Sequence, residues 1–154
     1  MAPPVSVAAV IAELDAVEIE ALLREAVVGR VGCHVDGLTY VVPVIYAYDG
    51  EAIWVVTVEG QKTQMMRANP RVCFEVDEYA GPGSWRSVIV QGTYEELDAE
   101  GLARATALLS ERFAGRGSGR RPNAGGRTPV AFRIRVAEAT GRAVRGQYSS
   151  DEVK

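Results

Sequence analysis

The residues best suited to hold a ligand lie in the run Gly60-Gln61-Lys62-Thr63, which follows two apolar segments, Tyr40-Val41-Val42-Pro43-Val44-Ile45-Tyr46 and Ile53-Trp54-Val55-Val56-Thr57. Gly60 is expected to let the backbone turn tightly. The helix that follows would present N–H groups with no intrahelical partner, and Lys62 would set an ammonium beside them. Such a corner suits a phosphate. The two apolar segments offer a flat wall for a planar ring, so the expected ligand is a flat aromatic with a phosphate tail. The plainer alternative for Lys62 is a solvated helix lysine.

Other reactive side chains are few. His34 is the single histidine. Its alternation with Gly32 and Asp36 marks an exposed or hydrogen-bonded strand position, with no nearby Ser, Cys or metal ligand to make it catalytic. Cys33 and Cys73 fall inside apolar strand patterns and read as buried free thiols of a reducing cytoplasm. Trp54 and Trp85 suit core or interface packing. Paired carboxylates, a nucleophile triad, a Walker loop and metal-ligand spacing are all missing from the sequence.

The elements that must position these residues can be read from periodicity. Residues 13–28, with Leu14, Val17, Leu22, Leu23 and Val27, form an amphipathic helix pattern that Gly29 would stop. Val31, Cys33 and Val35 begin a first strand, and Asp36-Gly37 predicts a hairpin into a second strand over 38–48. Asp49-Gly50 turns that strand into a third over 52–58. Residues 61–68 form a short helix ended by Asn69-Pro70. Val72, Phe74 and Val76 mark a fourth strand, residues 78–84 a loop, and 85–97 a long fifth strand. Asp98 is the expected N-cap of a helix over 99–113. The last strand lies within 128–144, where Phe132, Ile134 and Val136 alternate with Arg133 and Arg135.

With 154 residues, 47% apolar and 24% charged content, the chain is long enough for one domain with a core and ordinary for a soluble protein. Residues 1–12 read as an N-terminal arm, 13–146 as the domain and 147–154 as a tail. The glycine- and arginine-rich stretch 115–127 reads as a mobile loop, or else as a basic flap over an anion. A net charge of -3 gives no general attraction to nucleic acid or anionic membrane. Neither a leader nor a bilayer-spanning run is evident, so a cytoplasmic location is expected. The expected fold is mainly β, a six-stranded antiparallel barrel with capping helices. Strands two and three are apolar on both faces, so a second subunit or a bound ring must cover the face outside the barrel.

The ordered motifs Val-Gly-Arg-Val, Tyr-Val-Val-Pro-Val, Gly-Gln-Lys, Asn-Pro-Arg-Val-Cys-Phe and Trp-Arg-Ser-Val resemble the pyridoxamine 5'-phosphate oxidase-like split barrels, and within them the branch with nitroimidazole-resistance proteins. The resemblance runs from Leu14 to Val144. It implies a homodimer with flavin mononucleotide (FMN) in two clefts between subunits, and a flavin-dependent oxidoreductase acting on a small molecule. By position, Pro43, Val44, Ile45 and Tyr46 would lie along the isoalloxazine ring, with Val56 and Thr57 beside the ring or ribityl chain. Gln61, Lys62 and Thr63 would hold the phosphate, and Arg86 and Ser87 would touch the ring edge or phosphate. Tyr46 and Tyr48 could close the cleft or equally pack in the interface. Arg86 could instead pair with Glu75 or Asp77 across a strand, and Ser87 could be a plain strand serine.

Three departures from the family pattern narrow the chemistry. The segment from Arg142 to Tyr148 lacks the family's pyridoxal phosphate-recognising end. Val55-Val56-Thr57 has no histidine of the nitroimidazole-resistance type, and Val41 stands where the oxidases carry an arginine. Alternatives on the same fold are a deazaflavin coenzyme, for which the arginine-rich stretch would supply cations, and haem, for which His34 is poorly placed. A non-enzymatic flavin carrier or sensor is the alternative of another class.

Overall fold

The computed structural model describes residues 11–115 and 125–145. In chain order these form β1 (Ile11–Glu13), α1 (Ala16–Glu25), β2 (Val28–Val35), β3 (Leu38–Ile45), β4 (Ala47–Tyr48), β5 (Ala52–Val58), α2 (Gln61–Ala68), β6 (Arg71–Gly81), β7 (Ser84–Glu96), α3 (Ala99–Arg112) and β8 (Pro129–Arg145). The strands make one antiparallel sheet in the order β3-β2-β6-β7-β8-β5-β4, with β1 paired to β8. The two outermost strands, β3 and β4, are separated by the single residue Tyr46. A sheet whose opposite edges are joined by one residue must curl until they meet, and the result is an antiparallel split barrel. The expected mainly β fold is thus observed, with eight strands in place of six because β1 is a short addition and the strand expected over 38–48 breaks at Tyr46 into β3 and β4.

Alternation fills the barrel. Val72, Phe74 and Val76 point inward from β6 and Val88, Val90 and Tyr94 from β7, meeting Val31, Ile53, Val55, Phe132 and Ile134 in one core. Helix α1 closes that core with Leu22 and Leu23, and α2 with Met65 and Met66. Helix α3 packs elsewhere, on the other face of β5, where Ala105, Leu102 and Leu108 meet Ala52, Trp54 and Val56. The second apolar face of β5 is therefore covered by this chain's own helix, not by a ring or a second subunit.

The turns follow the predicted chemistry. Asp36 and Gly37 have φ of 51° and 80°, the paired left-handed geometry of a two-residue hairpin. Asp98 caps α3 by accepting from the Gly101 N–H at 2.9 Å. Other expectations are corrected. Helix α1 ends at Glu25, and Gly29 lies inside β2, where a Cβ would stand 2.2 Å from Phe74 Cζ. Gly29 makes room for an aromatic ring and stops no helix. Residues 78–84 are mostly strand, because β6 and β7 stay paired from Arg71–Thr93 out to Gly81–Ser84. Residues 11 and 12 of the expected arm belong to β1. The expected tail, 147–154, and residues 116–124 of the glycine- and arginine-rich stretch lie outside the described residues.

Candidate cofactor site

Helix α2 begins directly after β5, and Gly60 is its N-cap. Gly60 has φ of -177°, extended backbone open to any residue, so no tight turn demands glycine there. What glycine contributes is bare space, since a Cβ would meet only the Val58 carbonyl, at 3.9 Å. The Gly60 N–H donates to Thr63 Oγ1 at 3.0 Å, and the same hydroxyl donates to the Gly60 carbonyl at 2.8 Å. Thr63 is fully buried by this exchange. Its hydroxyl organises the cap and is not offered to a phosphate. The N–H groups of Gln61, Lys62 and Thr63 have no intrahelical partner at this position of a helix.

Lys62 is half-buried at that start and makes no hydrogen bond or ion pair among the described residues. Burial pushes its ammonium pKa down, and the positive charge of Arg127 pushes in the same direction. The nearby acid does not relieve it. Glu59 is held by Arg67 through two contacts of 2.6 Å, and Arg67 also binds Glu96 at 2.7 Å. A helix start, a free ammonium and a second cation therefore share one corner, the electrostatics of an anion site.

The remaining predicted residues divide by strand face. Pro43 and Ile45 are exposed on the outward face of β3, while Val44 is buried. β3 is hydrogen-bonded on one side only, so alternate backbone groups of this strand remain free at its edge. Tyr46 is completely buried, and its hydroxyl donates to the Leu23 carbonyl at 2.6 Å. Burial pushes its pKa up to about 12. Tyr48 donates to Glu20 Oε1 at 2.6 Å. Both tyrosines are thus tied to α1 and its carboxylate, and neither side chain lines the Lys62 corner. Val56 packs under α3, and Thr57 is half-buried near the end of β5. We expect Tyr46→Phe to cost about 1–3 kcal/mol, because it leaves the Leu23 carbonyl buried without its donor. A lower urea midpoint at unchanged slope is the expected readout, and an unchanged midpoint would show that the bond contributes nothing.

Arg86 and Ser87 lie elsewhere in the chain. Arg86 pairs opposite Ala143 near the end of β8, whereas Glu59, beside α2, bonds to Thr128 just before β8 starts. Fourteen strand residues separate these levels, on the order of 45 Å of extended chain. Arg86 binds Glu25 at 2.8 Å and Glu78 at 2.9 Å. The cross-strand pairing considered for Arg86 belongs to Arg30 instead, which reaches Glu75 at 3.2 Å and Asp77 at 2.8 Å. Burial and the adjacent Asp77 carboxyl push Glu75 up to about 7. Burial and two adjacent carboxyls explain that titration, which the Arg30 guanidinium they share opposes, and it marks no second site. His34 is exposed with Nδ1 2.8 Å from Thr39 Oγ1, and both thiols are free. Among the described residues no cluster could hold a metal ion, and no helix is long and apolar enough to cross a membrane.

One contributor was offered by the sequence only as part of a possible basic flap, not as a named residue. Arg127 falls in the stretch read as loop, and only the β5–β8 ladder brings it to this corner. Val58 pairs with Pro129, and the Glu59 N–H donates to the Thr128 carbonyl at 2.9 Å. The next residue, Arg127, comes close enough for its charge to act on Lys62.

The antiparallel split barrel defines a class that known relatives share. The pyridoxamine 5'-phosphate oxidase family model matches residues 15–143. The chain belongs to that family. A FAD-binding protein of Mesorhizobium loti is similar at 36% identity and a TM-score of 0.70, over 86% of this chain and 97% of that one. The fold is also that of a 5-nitroimidazole antibiotic resistance protein of Bacteroides thetaiotaomicron, with a TM-score of 0.69, 20% identity and coverage of 86% and 87%. An uncharacterized protein of Rhizobium meliloti is 35% identical over 82 residues, 53% of this chain and 54% of its own length. The match spans about half of that curated relative.

Proposed function

We propose that this chain binds a flavin nucleotide, FMN or a larger flavin sharing its phosphate, and works as a flavin-dependent oxidoreductase on a small molecule. The observation that carries the reading is the unpaired Lys62 ammonium at the free start of α2, beside Arg127. A phosphate with about -1.5 to -2 charges at neutral pH answers both the charges and the helix dipole. Gln61 and Lys62 hold the phosphate, while the outward side chains of Pro43 and Ile45 and the free edge of β3 meet the ring. The FAD-binding Mesorhizobium loti protein, 36% identical, supports a flavin. The flavin supplies the electron and hydride chemistry, and the chain supplies its position and the polarity around it.

The second wall of the cleft comes from a second copy of the chain. Val28, Val41, Ile45 and Ile89 are 43% exposed or more on the outward face of β2, β3 and β7, around the Arg30–Glu75 ion pair, a surface suited to a symmetric partner. Arg86 and Ser87, remote from Lys62 within one chain, would have to enter the cleft from that partner.

The test is direct. The purified protein is expected to be yellow, to release a flavin on denaturation identifiable by mass, and to bleach near 450 nm with a reduced nicotinamide nucleotide. A colourless protein that binds no added flavin would end this reading. A yellow protein inert to every donor would make it a carrier.

A further inference from the structure

The corner brings Arg127 near Lys62, whereas the second cation the family resemblance supplied, Arg86, lies on a distant strand. The ladder that pairs Val58 with Pro129, continued by the Glu59 N–H bond to the Thr128 carbonyl, brings Arg127 close enough for its charge to act on Lys62. Lys62 stands in the first turn of α2, and the bare Cα of Gly60 before it adds no side chain, with nothing nearer than 3.9 Å to an added Cβ. Neither cation makes an ion pair among the described residues. The local acid Glu59 is already held by Arg67.

Resting on the flavin reading above, we propose that Arg127 is a second phosphate-binding residue, which clamps the flavin's phosphate against Lys62 from across the β5–β8 ladder. Two like charges held side by side without an acid repel each other, and a doubly charged phosphate between them turns that repulsion into attraction. The lowered pKa of Lys62, part of which comes from Arg127, agrees with a corner whose counter-ion is the ligand. The two residues differ in kind. Lys62 is a point charge on a rigid helix start, whereas the guanidinium offers a planar fork that can take two phosphate oxygens at once.

The experiment compares FMN with riboflavin, the same ring without the phosphate, by fluorescence titration of the full chain. Arg127→Ala is expected to raise the FMN dissociation constant at least tenfold and leave that for riboflavin within about twofold. Arg127→Lys should recover part of the loss, because it restores charge without the fork. In the Lys62→Ala background, Arg127→Ala should cost less than it does alone, since the two act on one group. An unchanged ratio of FMN to riboflavin affinity in Arg127→Ala would overturn the clamp while leaving flavin binding intact. Failure of the unmutated protein to bind either flavin would remove the parent reading and the clamp with it.

Discussion

Phe74→Ala is expected to destabilise the fold by about 3–5 kcal/mol, the usual cost of deleting a buried aromatic ring. Phe74 has no exposure, stands edge-on to Tyr46 with ring centroids 4.9 Å apart at 74°, and lies directly over Gly29. It joins β6, the residue that links the two outermost strands, and β2. Chemical denaturation should show the loss, and a second variant identifies its cause. Gly29→Ala alone should cost about 1–3 kcal/mol, because its Cβ would enter the Phe74 ring. Combined with Phe74→Ala, it should cost much less, since the obstructing ring is gone. Contacting residues couple by about 0.5–3 kcal/mol, which is measurable in such a cycle. Strictly additive losses would show that the ring does not fill the space glycine leaves.

Lys62→Ala should weaken flavin nucleotide binding by about 1.5–3 kcal/mol, the range for a hydrogen bond to a charged group, or roughly tenfold to a hundredfold in affinity. Lys62→Glu should do more, because it sets a like charge against both the phosphate and the positive end of the helix. Neither variant should lower the melting temperature of the ligand-free protein, since Lys62 makes no bond among the described residues. Loss of the affinity difference at high ionic strength would fit a partly exposed charge pair. Equal FMN affinity in wild type and Lys62→Ala would remove the ammonium from the site.

Local signals were readable in the chain where the controlling contacts are local. The Asp36-Gly37 hairpin, the Asp98 cap and the short helix from Gln61 all appear where the residues put them. Strand periodicity likewise marked the inward face of β6 through Val72, Phe74 and Val76. Residues governed by distant partners were misread. Gly29 looked like a helix stop because its reason, the Phe74 ring, lies 45 positions away. The second face of β5 looked ligand-facing because its cover, α3, comes some fifty residues later. Tyr46 looked like a cleft residue, yet its hydroxyl answers a helix carbonyl that periodicity does not reveal.

The candidate site divides in the same way. Lys62 could be picked out from the glycine and helix pattern beside it. Thr63 could not be assigned its capping role, because only coordinates show where a hydroxyl donates. Arg127 could be read only as one of several arginines in a possible basic flap, and the pairing of two strands is what singles it out.

The long final strand also has a consequence for how the molecule forms during synthesis. β8 lies between β5 and β7 and takes β1 as well, joining Ala52 to Arg135 and Ile11 to Val144. Until those last residues leave the ribosome, three earlier strands wait with open hydrogen-bonding edges, and the barrel cannot close. Contacts so distant along the chain make for slow folding, and open edges meanwhile invite strands from other nascent copies. The chain's exposure to aggregation is thus concentrated in the interval before its own last strand arrives.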